Sequence, residues 1–243
     1  MRKRRKTRKR RGRLSLAQVE SGIYLDFEGW TGQHPILLGM MVAQGTGEQD
    51  VEQYVVSPTF AEAARGISLE HVSLESLLND IVAKAEHEKR YIIAWSEHDL
   101  NVVRDHCDRA LASRFAGRYR NARAFCKQWL KDLHADLAFD ATDRKKNALA
   151  NYMDLVGYQV PPDFGPARTG DNLRALKGPL SAGKQWDALS DRQRGYWLEV
   201  LGHNRHDCIG MYRVCRKAAT ERAAAGQAVR RNMGAEGELL RLE

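Results

Sequence analysis

The sequence predicts an α/β protein built on a mixed central sheet: a three-strand antiparallel meander plus parallel strands, flanked by helices. Three observations lead there. Short apolar runs separated by glycine-containing turns crowd residues 22–56. Another short apolar run, residues 91–95, lies between two segments of helical periodicity. From residue 100 onward, apolar positions recur almost everywhere at helical spacing.

Residues 22–28, which include Ile23, Leu25 and Phe27, read as a buried strand. A second apolar run, residues 35–43, follows the turn residues Thr31, Gly32 and Gln33. Gly45 and Gly47 mark the next turn, because glycine alone takes positive φ without a steric cost. Residues 51–56 alternate in part and suit a third strand at a sheet edge. Residues 73–82 repeat apolar positions at helical spacing, and that helix is expected to reach Lys89. Residues 91–95 form a strand. Residues 100–116 form one helix with Leu100, Val103, Cys107 and Leu111 inward. Residues 122–137 are helical after a poor strand. Residues 148–156 form a helix stopped by Gly157. Residues 160–166 are a loop or linker, and 186–202 and 204–225 are two final helices with a break near Gly202. The expected organisation is a basic disordered tail and linker (1–21), one folded domain (22–225) and a frayed C-terminal tail (226–243).

Composition narrows the function classes. At 243 residues and 43% hydrophobic content the chain can bury a real core. No apolar run approaches the roughly 20 residues of a bilayer-spanning helix, so no membrane partner is expected. The N-terminus lacks a signal-type apolar stretch, and Cys107, Cys126, Cys208 and Cys215 form no CxxC pair. A cytoplasmic setting with reduced thiols is the expectation. The formal charge is +8, yet residues 1–13 alone carry ten Lys or Arg and no acid. The other 29 basic and 31 acidic residues nearly cancel. The basicity is therefore a tail. It reads as an arm for nucleic acid with salt-sensitive binding, or as a solubilising or localisation segment.

The acidic residues carry the chemistry. Asp26 and Glu28 are two apart on a strand and leave the same face of the sheet. Asp99 follows the strand 91–95 at the start of a helix. His203 and Asp207 are four apart on a helix and share a face. Only Arg205 is close in sequence to neutralise them. Carboxylates in this arrangement suit hard cations, Mg²⁺ or Mn²⁺. A two-ion carboxylate site is a standard means of cutting phosphodiesters.

These residues resemble the motifs of DEDD-type 3′–5′ exonucleases of the ribonuclease H-like superfamily. Within it, the likeness is to the domain of predicted exonucleases that also accompanies RecB-like nucleases. Asp26-Phe27-Glu28 matches the opening Asp-x-Glu strand, and residues 36–42 match the apolar hairpin partner. Asp99-Leu100 matches the acid at a strand-to-helix junction. His203-Asn204-Arg205-His206-Asp207-Cys208 matches the late Tyr-Asn-x-x-Asp-Cys, and residues 152–158 match the helix before it. The likeness spans roughly residues 22–218. It implies metal-dependent exonucleolysis of DNA or RNA with two ions. Asp26 would bridge both ions, Glu28 and Asp207 would complete one shell, and Asp99 would hold the second. His203 stands where the family has tyrosine, while the histidine-type enzymes place theirs five before the Asp. An imidazole's ordinary pKa, about 6.5, suits a general base at neutral pH.

Blander readings stand beside these. Asp26 and Glu28 also fit a solvated strand end, and Asp207 a plain surface residue. Asp99 also fits a helix cap, with Glu97 as its rival. His203 also fits a packing role, and His206 points elsewhere, about 100° round the helix. Trp95, Trp186, Tyr196 and Trp197 suit base stacking or core. Arg168, Arg174, Lys177 and Lys184 suit phosphate contacts or a solvated loop. Cys208 suits packing better than nucleophilic attack. The alternative function is a nucleic-acid-binding or ribonucleoprotein component on a nuclease fold with weak or no catalysis.

Overall fold

The structure is a computed structural model that describes residues 14–45, 50–137, 139, 147–164 and 168–239. The basic segment 1–13 lies outside them. In chain order the elements are α1 (Leu16–Glu20), β1 (Ile23–Glu28), β2 (Leu37–Val42), β3 (Glu52–Val55), α2 (Ala61–Arg65), β4 (Glu70–His71), α3 (Leu74–His87), β5 (Ile92–Ala94), α4 (Glu97–His106), α5 (Arg109–Arg118), β6 (Tyr119–Asn121), α6 (Ala122–Leu133), α7 (Leu149–Leu155), α8 (Thr169–Ser181) and α9 (Asp191–Leu239). Short 3₁₀ turns occupy Pro58–Phe60, Pro162–Phe164 and Trp186–Ala188. No described helix is long and apolar enough to cross a membrane.

The expected α/β class holds. Six strands form one mixed sheet in the order β4-β3-β2-β1-β5-β6, flanked by helices. β2 runs antiparallel to β1 and β3, while β1–β5, β5–β6 and β3–β4 are parallel. β1 sits near the middle and is covered on both faces. Ile23, Leu25 and Phe27 face α3, α4 and α5 in one apolar cluster. Tyr24, on the opposite face by the strand's period of two, joins Trp129, Met211 and Cys215 from α6 and α9 in another. A third cluster joins Leu37 and Val55 to Leu173 and Leu176 of α8 and Trp197 and Leu201 of α9. Helix α9 thus lies across the face to which Tyr24, Asp26 and Glu28 point.

Several expectations need correction. Residues 14–21 are not a linker: α1 carries a capping box between Ser15 and Gln18, and Leu14 and Val19 are buried in the core. β3 is not a sheet edge, because β4 pairs beyond it. The expected helix 100–116 is two helices. Asp108 caps the second by accepting from the Leu111 amide at 2.7 Å. Residues 169–181, left without an element, form α8, whose Leu173, Leu176 and Leu180 are buried. Gly202 breaks nothing, and α9 runs on past residue 225 to Leu239.

Burial of Val19 implies that α1 belongs to the folded unit. Val19→Ala is expected to lower unfolding free energy by about 1–3 kcal/mol in urea titrations. An unchanged midpoint would show that α1 is not docked in solution.

Candidate active site

The site begins with a close approach of α9 to the sheet. Asp26 pairs with Gly39 of β2 across the ladder. A Cβ at Gly39 would overlap the Asn204 carboxamide, so the glycine makes the room that Asn204 fills. Asn204 is fully buried. Its Nδ2 donates to the Asp26 carbonyl at 3.0 Å and to Asp26 Oδ2 at 2.9 Å. Its Oδ1 accepts from Gln53 Nε2 of β3 at 2.9 Å, and the same nitrogen donates to the Leu201 carbonyl at 2.9 Å. One carboxamide therefore pins the helix to β1 and β3 through a gap in β2. It also sets the rotation of α9, which brings His203 and Asp207 over the face carrying Asp26 and Glu28.

The four predicted carboxylates are brought into mutual range. Burial raises the proton affinity of Asp26 most, and the charges of Asp207 and Asp99 raise it further; His203 and the Asn204 hydrogen bond oppose them. Glu28 is raised by burial first, then by the neighbouring carboxyls of Asp26 and Asp207. Burial, followed by Asp99, pushes Asp207 up to about 7. Asp99, 4% exposed, is raised by burial. His203 Nε2 lies 3.7 Å from Asp207 Oδ2 and 4.0 Å from Glu28 Oε1. Arg205, the one cation near in sequence, turns away to Asp50 at 3.3 Å. Among the described residues, the ion pairs of these four acids are with His203 alone.

The rival assignments also separate. The cap reading of Asp99 is realised: Asp99 Oδ2 accepts from the Ser96 amide at 3.1 Å, completing a capping box at the start of α4. Glu97 is exposed. His203 Nδ1 meets the Phe164 carbonyl at 3.1 Å. A neutral ring that donates there presents an unprotonated Nε2 to the carboxylates. His206 belongs to another cluster, as expected: its Nδ1 bonds the Tyr158 hydroxyl at 2.7 Å and its ring stacks on Phe164. Cys208 is fully buried beneath the acids, and burial and their charges push its thiol up, which suits packing. Trp197 is core, Trp186 packs over Gly66, and Trp95 donates to the Asn147 carbonyl at 3.2 Å. Lys177 of α8 stacks over the Trp30 ring.

Whether this set suits a divalent ion is answered two ways. Its donor chemistry does: four acidic residues offering hard oxygen ligands, largely withdrawn from water and, among the described residues, without a lysine or arginine partner, are a cation site in composition. Its closure does not, since among the described residues no three His, Cys, Asp or Glu groups stand together tightly enough to hold an ion. Like charges without a counter-ion have a physical reason to stand apart, and Asn204 and Ser96 each draw off one carboxylate oxygen. No family model, no curated protein and no solved structure matches this chain.

Two consequences are measurable. Asn204→Ala removes its hydrogen bonds to Gln53, the Asp26 carbonyl and Asp26 Oδ2, and should cost about 1–3 kcal/mol in urea unfolding. An effect below about 0.5 kcal/mol would show that the latch is not formed. The second concerns pH. Asp207 titrates near 7 when folded and about 3.9 when unfolded, so between those values the folded state holds the extra proton. Stability from this group is present below about pH 4 and is lost as pH rises towards 7. In EDTA, melting temperature should fall more steeply with pH between 5 and 8 for the native chain than for Asp207→Asn. Mn²⁺ should restore more at pH 8 than at pH 5, since it favours the ionised carboxylates. Parallel pH profiles for the two proteins would contradict the charge cluster.

Proposed function

We propose that the chain is a metal-dependent 3′–5′ exonuclease on a ribonuclease H-like sheet, acting on DNA or RNA. One observation carries the reading: acids from β1, the start of α4 and α9, over 170 residues apart in order, raise one another's proton affinity beside a single imidazole. The central placement of β1 next to the one reversed strand supports it. The 3′–5′ direction rests on the resemblance of the motifs.

Asp26, Glu28, Asp99 and Asp207 would hold the ions, Mg²⁺ or Mn²⁺. Two such cations, when bound, activate a water and stabilise the leaving oxygen. The remaining work belongs to the chain. Asn204 fixes one Asp26 oxygen, and Ser96 fixes one Asp99 oxygen. His203, held through Nδ1 by the Phe164 carbonyl, offers Nε2 to take a proton from the attacking water. Asp207 and Glu28, at 3.7 and 4.0 Å, stabilise the imidazolium that results. Phosphorus gains the water oxygen and loses the bridging 3′ oxygen. The ten basic residues of segment 1–13 would add non-specific, salt-dependent affinity for the phosphate backbone.

The lack of a closed ligand group among the described residues favours a second reading, a nucleic-acid-binding component with weak or no catalysis. End-labelled DNA and RNA oligonucleotides incubated with Mg²⁺ or Mn²⁺ separate the two. The nuclease reading expects stepwise loss from the 3′ end, abolished by EDTA. Asp26→Asn should slow it by more than about 100-fold, beyond the effect of losing an outer-shell group. His203→Ala should cost about 10²–10⁴-fold, the usual worth of a positioned base. Tight binding with no metal-stimulated cleavage would establish the second reading.

A further inference from the structure

Beside His203, a cavity of about 140 Å³ opens where the Pro162–Phe164 turn, α8 and α9 meet. Asp163, Arg168, Thr169, Asn172, Glu199 and His203 line it. Glu199, His203 and Asp207 follow one another at intervals of four on α9, so they form one stripe along the helix, each about 6 Å from the next. The carboxylate of Glu199 is not loose. Asn172, 5% exposed, donates its Nδ2 to Glu199 Oε2 at 2.8 Å across the α8–α9 contact. That bond occupies one acceptor site and orients the rest of the carboxylate at the cavity.

The lining discriminates between ligand chemistries. Asp163 and Arg168 are both exposed and offset each other, which leaves the half-buried Glu199 carboxylate as the charge a phosphate group would meet, and it repels one. An apolar group would cover the Glu199 carboxylate oxygen that Asn172 leaves open, and the Thr169 hydroxyl, without offering either a partner. Neutral hydroxyls satisfy both constraints: they donate to the carboxylate and accept from the threonine or arginine. The cavity shares His203 with the candidate catalytic cluster, so the hydroxyls it takes belong to the sugar next to the bond under attack.

We propose that this cavity is a ribose subsite, in which Glu199, oriented by Asn172, accepts from the 2′-hydroxyl of the terminal nucleotide. Resting on the nuclease reading above, it makes RNA 3′ ends the preferred substrate class. Only a 2′-hydroxyl distinguishes the two polymers at such a position.

The test compares three single-stranded oligonucleotides of one sequence, with the full chain and Mn²⁺. One is all-deoxy, one all-deoxy with a single 3′-terminal ribonucleotide, and one all-ribo. The terminal ribonucleotide should raise the rate of terminal removal by about 10- to 100-fold, the worth of one hydrogen bond to a charged group. Glu199→Gln should bring that ratio close to one. The glutamine retains a carbonyl oxygen for Asn172, and an unaltered urea midpoint verifies the fold. A ratio of one in the native chain, or a ratio that survives Glu199→Gln, overturns the proposal. Calorimetric titration with a ribonucleoside 5′-monophosphate and its 2′-deoxy counterpart gives a readout independent of cleavage. Tenfold or greater preference for the ribose form supports the subsite, and equal affinities overturn it. Ribose preference in binding with no cleavage of any oligonucleotide would sink the nuclease reading and leave the subsite standing.

Discussion

Everything at this site depends on one buried carboxamide. Asn204 is the point at which a helix from the end of the chain is registered against the first strand. A helix lying on a sheet has two soft freedoms, sliding and rolling, and apolar contacts resist both only weakly because many registers bury similar area. A buried hydrogen-bonding group removes the degeneracy: one residue of slip breaks the Asn204 bonds to Asp26 and Gln53 and leaves a fully buried carboxamide unpaired. The positions of His203 and Asp207 then follow from helical spacing alone. Gly39 is the counterpart of this arrangement. A strand glycine ordinarily weakens a sheet, yet here its missing Cβ is the socket into which the carboxamide fits.

The same construction explains the electrostatics. β1 is covered on both faces, so its outward alternatives are few and Asp26 and Glu28 are desolvated by the fold itself. Placing Asp207 and Asp99 alongside compounds a cost that no lysine or arginine offsets among the described residues. Such an arrangement lowers stability in the absence of a cation, and its presence at the centre of a sheet is a strained local choice held by the surrounding packing. The strain is selective. Asp26 and Asp99 are each anchored through one oxygen, whereas Arg205, which could have neutralised the group, is directed to Asp50. Four acids are thus gathered without a neutralising cation among the described residues, and each holds its proton more tightly than an ordinary carboxyl.

Much of this was legible in the sequence. The period of two in Asp26-Phe27-Glu28 and the period of four between His203 and Asp207 are local properties, and both survive folding. The strand character of β1, β2 and β5 was readable because each is a short apolar run bounded by turn residues. Asn204 was visible only as a letter in a motif. Its partners lie 178 and 151 residues away, and nothing local distinguishes a latch from a solvated amide. Helix α8 was hidden by Gly170, Gly178 and Pro179, which depress helix propensity; packing of Leu173, Leu176 and Leu180 against α9 overrides it. Two local signals mark the boundaries of α1 and α5. Ser15-x-x-Gln18 is a capping box that announces α1, and Asp108 is an N-cap that divides α4 from α5. The tail 1–13 remains a statement about charge alone.

The glycines of α9 give the last step. Gly202 and Gly210 lower the intrinsic helix propensity by up to about 1 kcal/mol each relative to alanine, and a reading by propensity places a break at the first. The helix continues because both positions are contact surfaces. A Cβ at Gly202 would overlap the Phe164 ring, and one at Gly210 would overlap Met153. The absent side chain at Gly202 lets the Pro162–Phe164 turn settle directly on the helix. That approach brings the Phe164 carbonyl within 3.1 Å of His203 Nδ1 and stacks its ring on His206. The tautomer of His203, and with it the direction in which Nε2 presents its lone pair, is thus set by a residue that has no side chain. An element that appears weak in isolation is the one that aims the imidazole at the carboxylates.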